Sequence, residues 1–199
     1  MSFRIENKYE ISIKKLNTFY NFLKLNNAKR IFSNRQVNSI YFDNMYKDSF
    51  LNSEEGTVPR KKIRLRYYGL EKQGSDKEYL LEKKINSYDG KYKTSERIKN
   101  YKKIIKFGIF DELYGYCKPI VNINYQREYY KIDKFRITFD KNIKYSVFNK
   151  KIFLKDLNKC IVEVKSNNLN LEHEINNLFP FKKIRYSKYA NSINLLKLS

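Results

Sequence analysis

Residues 60–66 read Arg60-Lys61-Lys62-Ile63-Arg64-Leu65-Arg66. A basic residue stands at every second position, Ile63 and Leu65 fill two of the places between, and Lys61 breaks the alternation. Residues two apart in a β-strand share a face. As a strand, this stretch has one apolar face and one face carrying Arg60, Lys62, Arg64 and Arg66. One cationic strand is a solvated face; several in one sheet, turned the same way, make a site for a polyanion.

The neighbouring segments repeat the pattern. In 3–13, Arg4, Glu6, Lys8 and Glu10 alternate with Phe3, Ile5, Tyr9, Ile11 and Ile13. In 78–86, Glu82 and Lys84 share a face with Leu80, opposed by Leu81 and Ile85. In 91–98, Lys91, Lys93, Ser95 and Arg97 share a face. In 134–140, Arg136, Thr138 and Asp140 oppose Phe135, Ile137 and Phe139. In 159–166, Glu163 and Lys165 share a face with Ile161, opposed by Val162 and Val164. Residues 119–132 place Val121, Ile123, Tyr125, Arg127 and Tyr129 on one side. Charge on one strand face is ordinarily the solvent side. Glu6, Glu82, Glu163 and Asp140 lie on the same faces as the cations, however. Carboxylates on a cationic face suit a divalent metal that bridges phosphate oxygens, and arginine forks suit phosphate itself.

The chain has 199 residues, enough for one domain with its own core. Lys+Arg number 42 against 21 Asp+Glu, a net charge of +21, while 41% of residues are hydrophobic. That excludes a disordered polycation and points to an anionic partner: nucleic acid, a membrane surface, or a phosphate-rich molecule or polymer. Cys117 and Cys160 have no zinc or disulfide spacing, so both are expected to be reduced thiols. The start is not a signal peptide, and no apolar run spans a bilayer, so a cytoplasmic location is expected. His173 is expected on the surface, which leaves no basis for Ser-His-Asp or multi-histidine metal chemistry.

Further strands are expected at 36–43 and 143–148. Helices are expected at 14–29 (Leu16, Phe19, Tyr20, Leu23), 100–115, 169–178 and 187–198, with a short one within 46–57. Ser187 or Tyr186 stands near the start of the last. Strands mostly follow strands without a linker or repeat, so residues 1–199 are expected to form a single α+β domain built on an antiparallel sheet. About eight strands allow closure into a barrel with an interior for side chains or one slim ligand.

The order of motifs carries a resemblance. Arg4-x-Glu6-x-Lys8-Tyr9 is followed by Ser39-Ile40-Tyr41-Phe42-Asp43, Arg64-Leu65-Arg66-Tyr67 and Leu81-Glu82-Lys83-Lys84. Then come Tyr125-x-Arg127, Arg136-Ile137-Thr138-Phe139-Asp140, Val162-Glu163-Val164-Lys165 and Ser187-Lys188-Tyr189. From about Phe3 to Leu196 the chain resembles the VTC domain, the catalytic domain of the vacuolar transporter chaperone polyphosphate polymerases and their stand-alone microbial relatives. The resemblance implies a triphosphate tunnel fold: an antiparallel eight-stranded β-barrel tunnel with flanking helices. It implies an ATP-dependent polyphosphate polymerase, a phosphotransferase that adds the γ-phosphate of ATP to a growing polyphosphate chain with Mn²⁺ or Mg²⁺. Phosphate or pyrophosphate would serve as primer.

By motif position, Lys8, Arg64, Arg66, Lys84, Arg127, Arg136 and Lys188 would bind the triphosphate or polymer. Lys165 and Ser187 would sit beside the phosphates, and Tyr125 would line the tunnel. Lys93 and Arg97 on the 91–98 face join the substrate-binding set. Glu163 would ligate the metal, with Glu6 and Glu82 as further carboxylates. Two departures stand out. Arg4 replaces the first Glu of the Glu-x-Glu-x-Lys start of related triphosphatases, and Ser95 stands where a Lys is expected, with Lys91 or Lys93 near enough to compensate. The rival readings are an inorganic or nucleoside triphosphatase of the same fold and a non-enzymatic polyphosphate-binding module. No motif for specific nucleic-acid binding appears, and outer lysines could touch an anionic membrane surface.

Overall fold

The computed structural model describes residues 5–69, 78–156, 158–166 and 172–198. Arg4 of the first motif lies outside them, as do residues 169–171 of the expected fourth helix. In chain order the elements begin with β1 (Ile5–Ser12), a 3-10 turn, α1 (Leu16–Leu25), β2 (Lys29–Asp43), α2 (Asp48–Glu55) and β3 (Arg60–Tyr68). β4 (Tyr79–Ser87), β5 (Gly90–Ile98), α3 (Tyr101–Phe107), β6 (Ile109–Asp111) and β7 (Gly115–Ile132) follow. The chain closes with β8 (Phe135–Val147), β9 (Leu154–Lys155), β10 (Lys159–Ser166), α4 (Glu172–Leu178), β11 (Lys182–Lys183) and α5 (Lys188–Leu195).

The strands form one sheet in the order β11-β1-β10-β8-β7-β2-β3-β4-β5, with β6 on β7 and β9 on β8. The pairs β1–β10, β10–β8, β2–β3, β3–β4 and β4–β5 are all antiparallel. The α+β class and the antiparallel sheet are as expected. Among the described residues the hydrogen-bonded order is an open path from β11 to β5, so closure into a barrel is not part of the pairing.

The chain divides into two compact units. The first comprises residues 1–36, 125–143 and 155–186. Its core gathers Tyr9 and Ile11 of β1, Phe19, Phe22 and Leu23 of α1, Ile137 and Phe139 of β8, and Val162 and Val164 of β10. These are the odd-numbered apolar positions of β1 and β8 and the even-numbered ones of β10, so alternation read each core face correctly. The second comprises residues 37–124, 144–154 and 187–199. Its core gathers Ile40 and Phe42, Ile63, Leu65 and Tyr67, Tyr79 and Leu81, Tyr114 and Cys117.

Two expected elements change. The helix expected over 100–115 stops at Phe107, because Gly108 adopts φ +86° and a Cβ there would lie 2.5 Å from the Cys117 carbonyl oxygen. The chain then turns into β6, which pairs with β7 through Ile109 opposite Cys117. The strands expected at 134–140 and 143–148 are one strand, β8, that passes through Asn142 at φ 54°. Asn tolerates that left-handed conformation where most residues do not.

Candidate functional site

In the second unit the stretch from Arg60 to Arg66 is β3, and its two faces separate as its alternation requires. Ile63 and Leu65 are buried in the core. Lys61, the residue that breaks the alternation, lies on that same apolar side and is not wasted there. Its Nζ lies 3.1 Å from Asp111 Oδ1, and Lys83 Nζ lies 2.9 Å from Oδ2 of the same fully covered carboxylate. Burial pushes the Asp111 carboxyl up, but the bonds from Lys83, the Leu113 amide and Lys61 outweigh it and hold it below its ordinary value.

The opposite face of β3 is built by register. Tyr41 lies opposite Arg64 on β2, Glu82 opposite Arg64 on β4, and Ser95 opposite Glu82 on β5. Arg64 Nε donates to Glu82 Oε2 at 2.6 Å and its Nη1 donates to the Tyr41 hydroxyl at 2.9 Å. Arg66 Nη1 stands 3.5 Å from the same Glu82 oxygen, and Lys93 Nζ donates to Oε1. Glu82 is only 2% exposed. Burial alone would raise its carboxyl, but the Arg64 and Arg66 charges and the Lys93 bond hold it down to about 2. Three cations therefore converge on one carboxylate and leave an excess of positive charge. Lys93, two residues from Ser95 on the same face, reaches the carboxylate that Ser95 faces in the register.

The same unit supplies Ser187 and Lys188. Ser187 caps α5, its Oγ accepting from the Ala190 amide at 3.3 Å and from Lys62 Nζ at 2.8 Å. The helix is fastened by the next motif residue. The Tyr189 hydroxyl donates to Asp43 Oδ2 at 2.5 Å, and its ring stacks on Tyr41 with centroids 5.2 Å apart. Asp43 also accepts from the Ser49 and Phe50 amides at 3.0 Å, holding the first turn of α2. Burial pushes the Tyr189 hydroxyl far up, so it stays a donor. Lys84 is exposed and sits between Lys62 and Lys93 in the register. Arg97 is exposed and pairs with Glu78.

In the first unit Lys165 Nζ lies 3.0 Å from Glu6 Oε1 and 3.3 Å from Glu163 Oε2. The register explains it: Glu6 is opposite Lys165 and Lys8 is opposite Glu163. Lys8 Nζ donates to the Tyr186 carbonyl at 2.6 Å. Arg127 forks onto Asp140 at 2.6 and 2.7 Å, with its guanidinium carbon 5.2 Å from the centre of the Tyr125 ring. Burial works against the Arg127 charge, but Asp140 beside it outweighs burial and raises its pKa, so Arg127 is always charged. Arg136 is exposed and packs over the rings of Phe32 and Tyr129 at 5.9 and 6.0 Å, and Arg35 packs over the same two rings.

The structure thus brings together Arg64, Arg66, Glu82 and Lys93 in one unit, and Glu6, Glu163 and Lys165 in the other. Among the described residues no three His, Cys, Asp or Glu side chains cluster as a ready-made metal cage. Mg²⁺ and Mn²⁺ on a phosphate substrate need only one or two protein carboxylates, the rest of the shell coming from phosphate and water. Glu6 and Glu163, which share one ammonium, fit that need. Asp140 and Glu82 have their oxygens taken by arginine and lysine. His173 is exposed, and both thiols are buried, Cys117 pushed up to about 12 and Cys160 to about 11. Sequence reasoning quoted Tyr41, Asp43 and Tyr189 only within motifs and Lys62 only as a cation of the face, and gave none of them, nor Arg35, a place in these networks. For Tyr41 and Asp43 the signal was present, since both share the parity of Ser39, which faces Arg66. The second unit also holds a cavity of about 330 Å³ bordered by Asn38, Asn122, Asn124, Phe148 and Lys150.

Comparison with known proteins bears on the family and the fold. The chain matches the VTC domain family over residues 3–115 and 108–197. No curated protein matches it. Among solved structures it is similar to a proposed adenylate cyclase from Bacillus halodurans (TM-score 0.62, 13% identity, 98% of each chain covered). It is similar to another from Vibrio parahaemolyticus (0.58, 14%, covering 97% of this chain and 98% of that one). A third, from Hippeastrum, is described as having a dominant triphosphatase activity (0.52, 10%, 96% of each chain). At these identities the likeness is one of fold. With the family match running through both units, the chain belongs to the VTC domain family.

Proposed function

We propose that this VTC domain is a phosphotransferase that moves the γ-phosphate of ATP onto a growing polyphosphate chain. The observation that carries the reading is the face of β3 and β4, where Arg64, Arg66 and Lys93 surround one buried carboxylate and Lys62 and Lys84 lie beside them. Phosphoryl transfer needs charge neutralisation and in-line placement more than a protein nucleophile. Arg64 is held by Glu82 and Tyr41, so its fork is oriented before any phosphate arrives, and little side-chain entropy is lost on binding. Arg66, Lys84, Lys93, Ser187 and Lys188 complete the phosphate-binding set of this unit, with Arg97 at its exposed side. In the other unit Lys8, Arg127, Arg136 and Lys165 bind phosphate, with the Tyr125 ring under Arg127. Glu163 and Glu6 would hold a divalent ion, which when bound would neutralise charge on phosphate oxygens. Lys165, shared by the two carboxylates, would contact phosphate were they to hold the ion. The acceptor, a terminal phosphate oxygen, is already ionised, so the absence of a catalytic histidine or thiolate in the scheme costs nothing.

The test is incubation of the protein with ATP and Mn²⁺ or Mg²⁺, followed by gel separation. A ladder of phosphate chains is expected. Free phosphate without a ladder would replace the reading by triphosphatase, the activity ascribed to the Hippeastrum protein of the same fold. Neither product, with tight polyphosphate binding, would leave a binding module.

A further inference from the structure

The hairpin of β6 and β7, with the helix α3 before it, carries exposed rings that the phosphate chemistry does not use. Its two sides follow from register. Ile109 lies opposite Cys117 and Phe110 opposite Tyr116. Cys117 is buried and Ile109 packs against the core of the second unit. Phe110 and Tyr116 therefore share the outer side. They are 60% and 71% exposed and meet edge to face, with ring centroids 5.6 Å apart. Leu113 in the turn and Phe107 at the end of α3 are exposed as well. The segment that presents these rings is well fastened. Lys61 and Lys83 grip the Asp111 carboxylate, and the Tyr114 hydroxyl accepts from the Lys61 amide at 2.9 Å. Tyr101 at the head of α3 stacks on Tyr79. Apolar side chains gathered on a fixed base mark an interaction surface, where singly scattered ones do not.

Charge says what kind of surface it fits. Ile104 and Ile105 of α3 pack on the core, while Lys102, Lys103 and Lys106 are exposed. Lys106 Nζ lies 5.2 Å from the centre of the Phe107 ring. Lys118 is exposed two residues beyond Tyr116, on the same side of β7. Against these four lysines, Glu112 is the one exposed acid between Tyr101 and Lys118. Cations around rings suit a surface that is anionic outside and apolar just beneath, which is the headgroup boundary of an anionic bilayer. Tyrosine suits that depth because its ring is apolar and its tip polar, and lysine because its stem lies along apolar surface while its ammonium stays wet. A second copy of the chain fits less well. A two-fold contact sets a patch against itself, which here brings lysines to lysines. The four apolar side chains also expose only on the order of 400 Å², against roughly 800 Å² per partner in a stable interface.

We propose that α3 and the β6–β7 hairpin dock the protein on an anionic lipid surface, Phe110 and Tyr116 entering the headgroup boundary while the lysines of α3 and Lys118 meet lipid phosphates. The proposal is independent of the polymerase reading. A net charge of +21 attracts any anionic vesicle, so the experiment has to separate this patch from charge in general.

The full chain is sedimented with vesicles of phosphatidylcholine alone and of phosphatidylcholine with phosphatidylserine, at about 0.15 M salt. Binding to the mixed vesicles only is expected. Phe110→Ala/Tyr116→Ala keeps the net charge and is expected to lower that binding about tenfold, with the melting temperature little changed because both side chains are exposed. The chain has no tryptophan, so Phe110→Trp supplies a single reporter. Its emission should shift to the blue on mixed vesicles and be quenched by brominated lipid. Tyr88→Trp, in the β4–β5 turn at a position 85% exposed, should do neither. If the double variant binds like the parent, or both reporters respond alike, net charge alone holds the protein and the patch is refuted. Equal binding to pure phosphatidylcholine would refute the part given to the lysines. If the parent binds no vesicle, the membrane assignment fails. Sedimentation velocity then identifies a second copy as the occupant if the parent associates with rising concentration and the double variant does not.

Discussion

Glu82 shows how one buried carboxylate can order a cationic site. It is held to about 2 against an ordinary value of 4.5, because removing a proton-accepting charge from among Arg64, Arg66 and Lys93 would leave three cations facing one another. The folded-state value is lowered, so the contribution to stability is complete above about pH 4.5 and is lost as pH falls toward 2. Each tenfold change in proton affinity is worth about 1.4 kcal/mol, so roughly 3 kcal/mol is at stake. Glu82→Gln is expected to lower the melting temperature at pH 7 and flatten the acid limb of the stability curve between those values. Triphosphate, by replacing the lost negative charge, should raise the melting temperature of the variant more than that of the parent. Equal ligand shifts would detach Glu82 from the proposed phosphate site. Arg64→Ala should remove most of the triphosphate-induced shift, read in the same thermal assay.

At the scale of elements, α2, β2 and α5 are tied through two residues. Asp43 at the end of β2 caps the first turn of α2 and receives the Tyr189 hydroxyl from α5, 146 residues away in sequence. Tyr189→Phe keeps the ring stacked on Tyr41 but leaves the Asp43 oxygen short of a donor, so a loss of about 1–3 kcal/mol is expected in denaturant unfolding. A loss below about 0.5 kcal/mol would mean that the Asn44, Ser49 and Phe50 amides on Asp43 suffice. Gly108 governs a different junction. The Cβ of an alanine there would meet the Cys117 carbonyl at 2.5 Å in a conformation with φ +86°. Gly108→Ala is therefore expected to destabilise by more than about 1 kcal/mol, measured by thermal or denaturant unfolding.

For the whole molecule, the net charge of +21 dominates. Self-repulsion of that size opposes the compact state, and salt screens it over roughly 10 Å at about 0.1 M. The melting temperature should therefore rise with ionic strength before any ligand is added, and polyphosphate should raise it further at equal ionic strength. A melting temperature that falls with salt would show that the ion pairs at Glu82, Asp111 and Asp140 outweigh the repulsion. Each unit has its own apolar core, one around Tyr9, Phe19 and Phe139, the other around Phe42, Ile63 and Leu65. The charged faces of β3, β4, β1 and β10 are the opposite sides of the strands that build those cores.

The sequence by itself determined which side of each strand is apolar, because alternation at a period of two is a local property of an extended chain. It therefore separated Ile63 and Leu65 from Arg64 and Arg66, and Val162 and Val164 from Glu163 and Lys165. It also placed Ser187 or Tyr186 near the head of the last helix, and the structure makes Ser187 the cap. It did not stop the third helix at Gly108, because the obstacle there is the carbonyl of Cys117, a residue on another strand. Only the tertiary structure decided which charges meet. Glu82 belongs to Arg64, Arg66 and Lys93, Asp140 to Arg127, and Asp111 to Lys61 and Lys83. Those pairings depend on strand register, and one residue of slip would turn every one of these side chains to the other face.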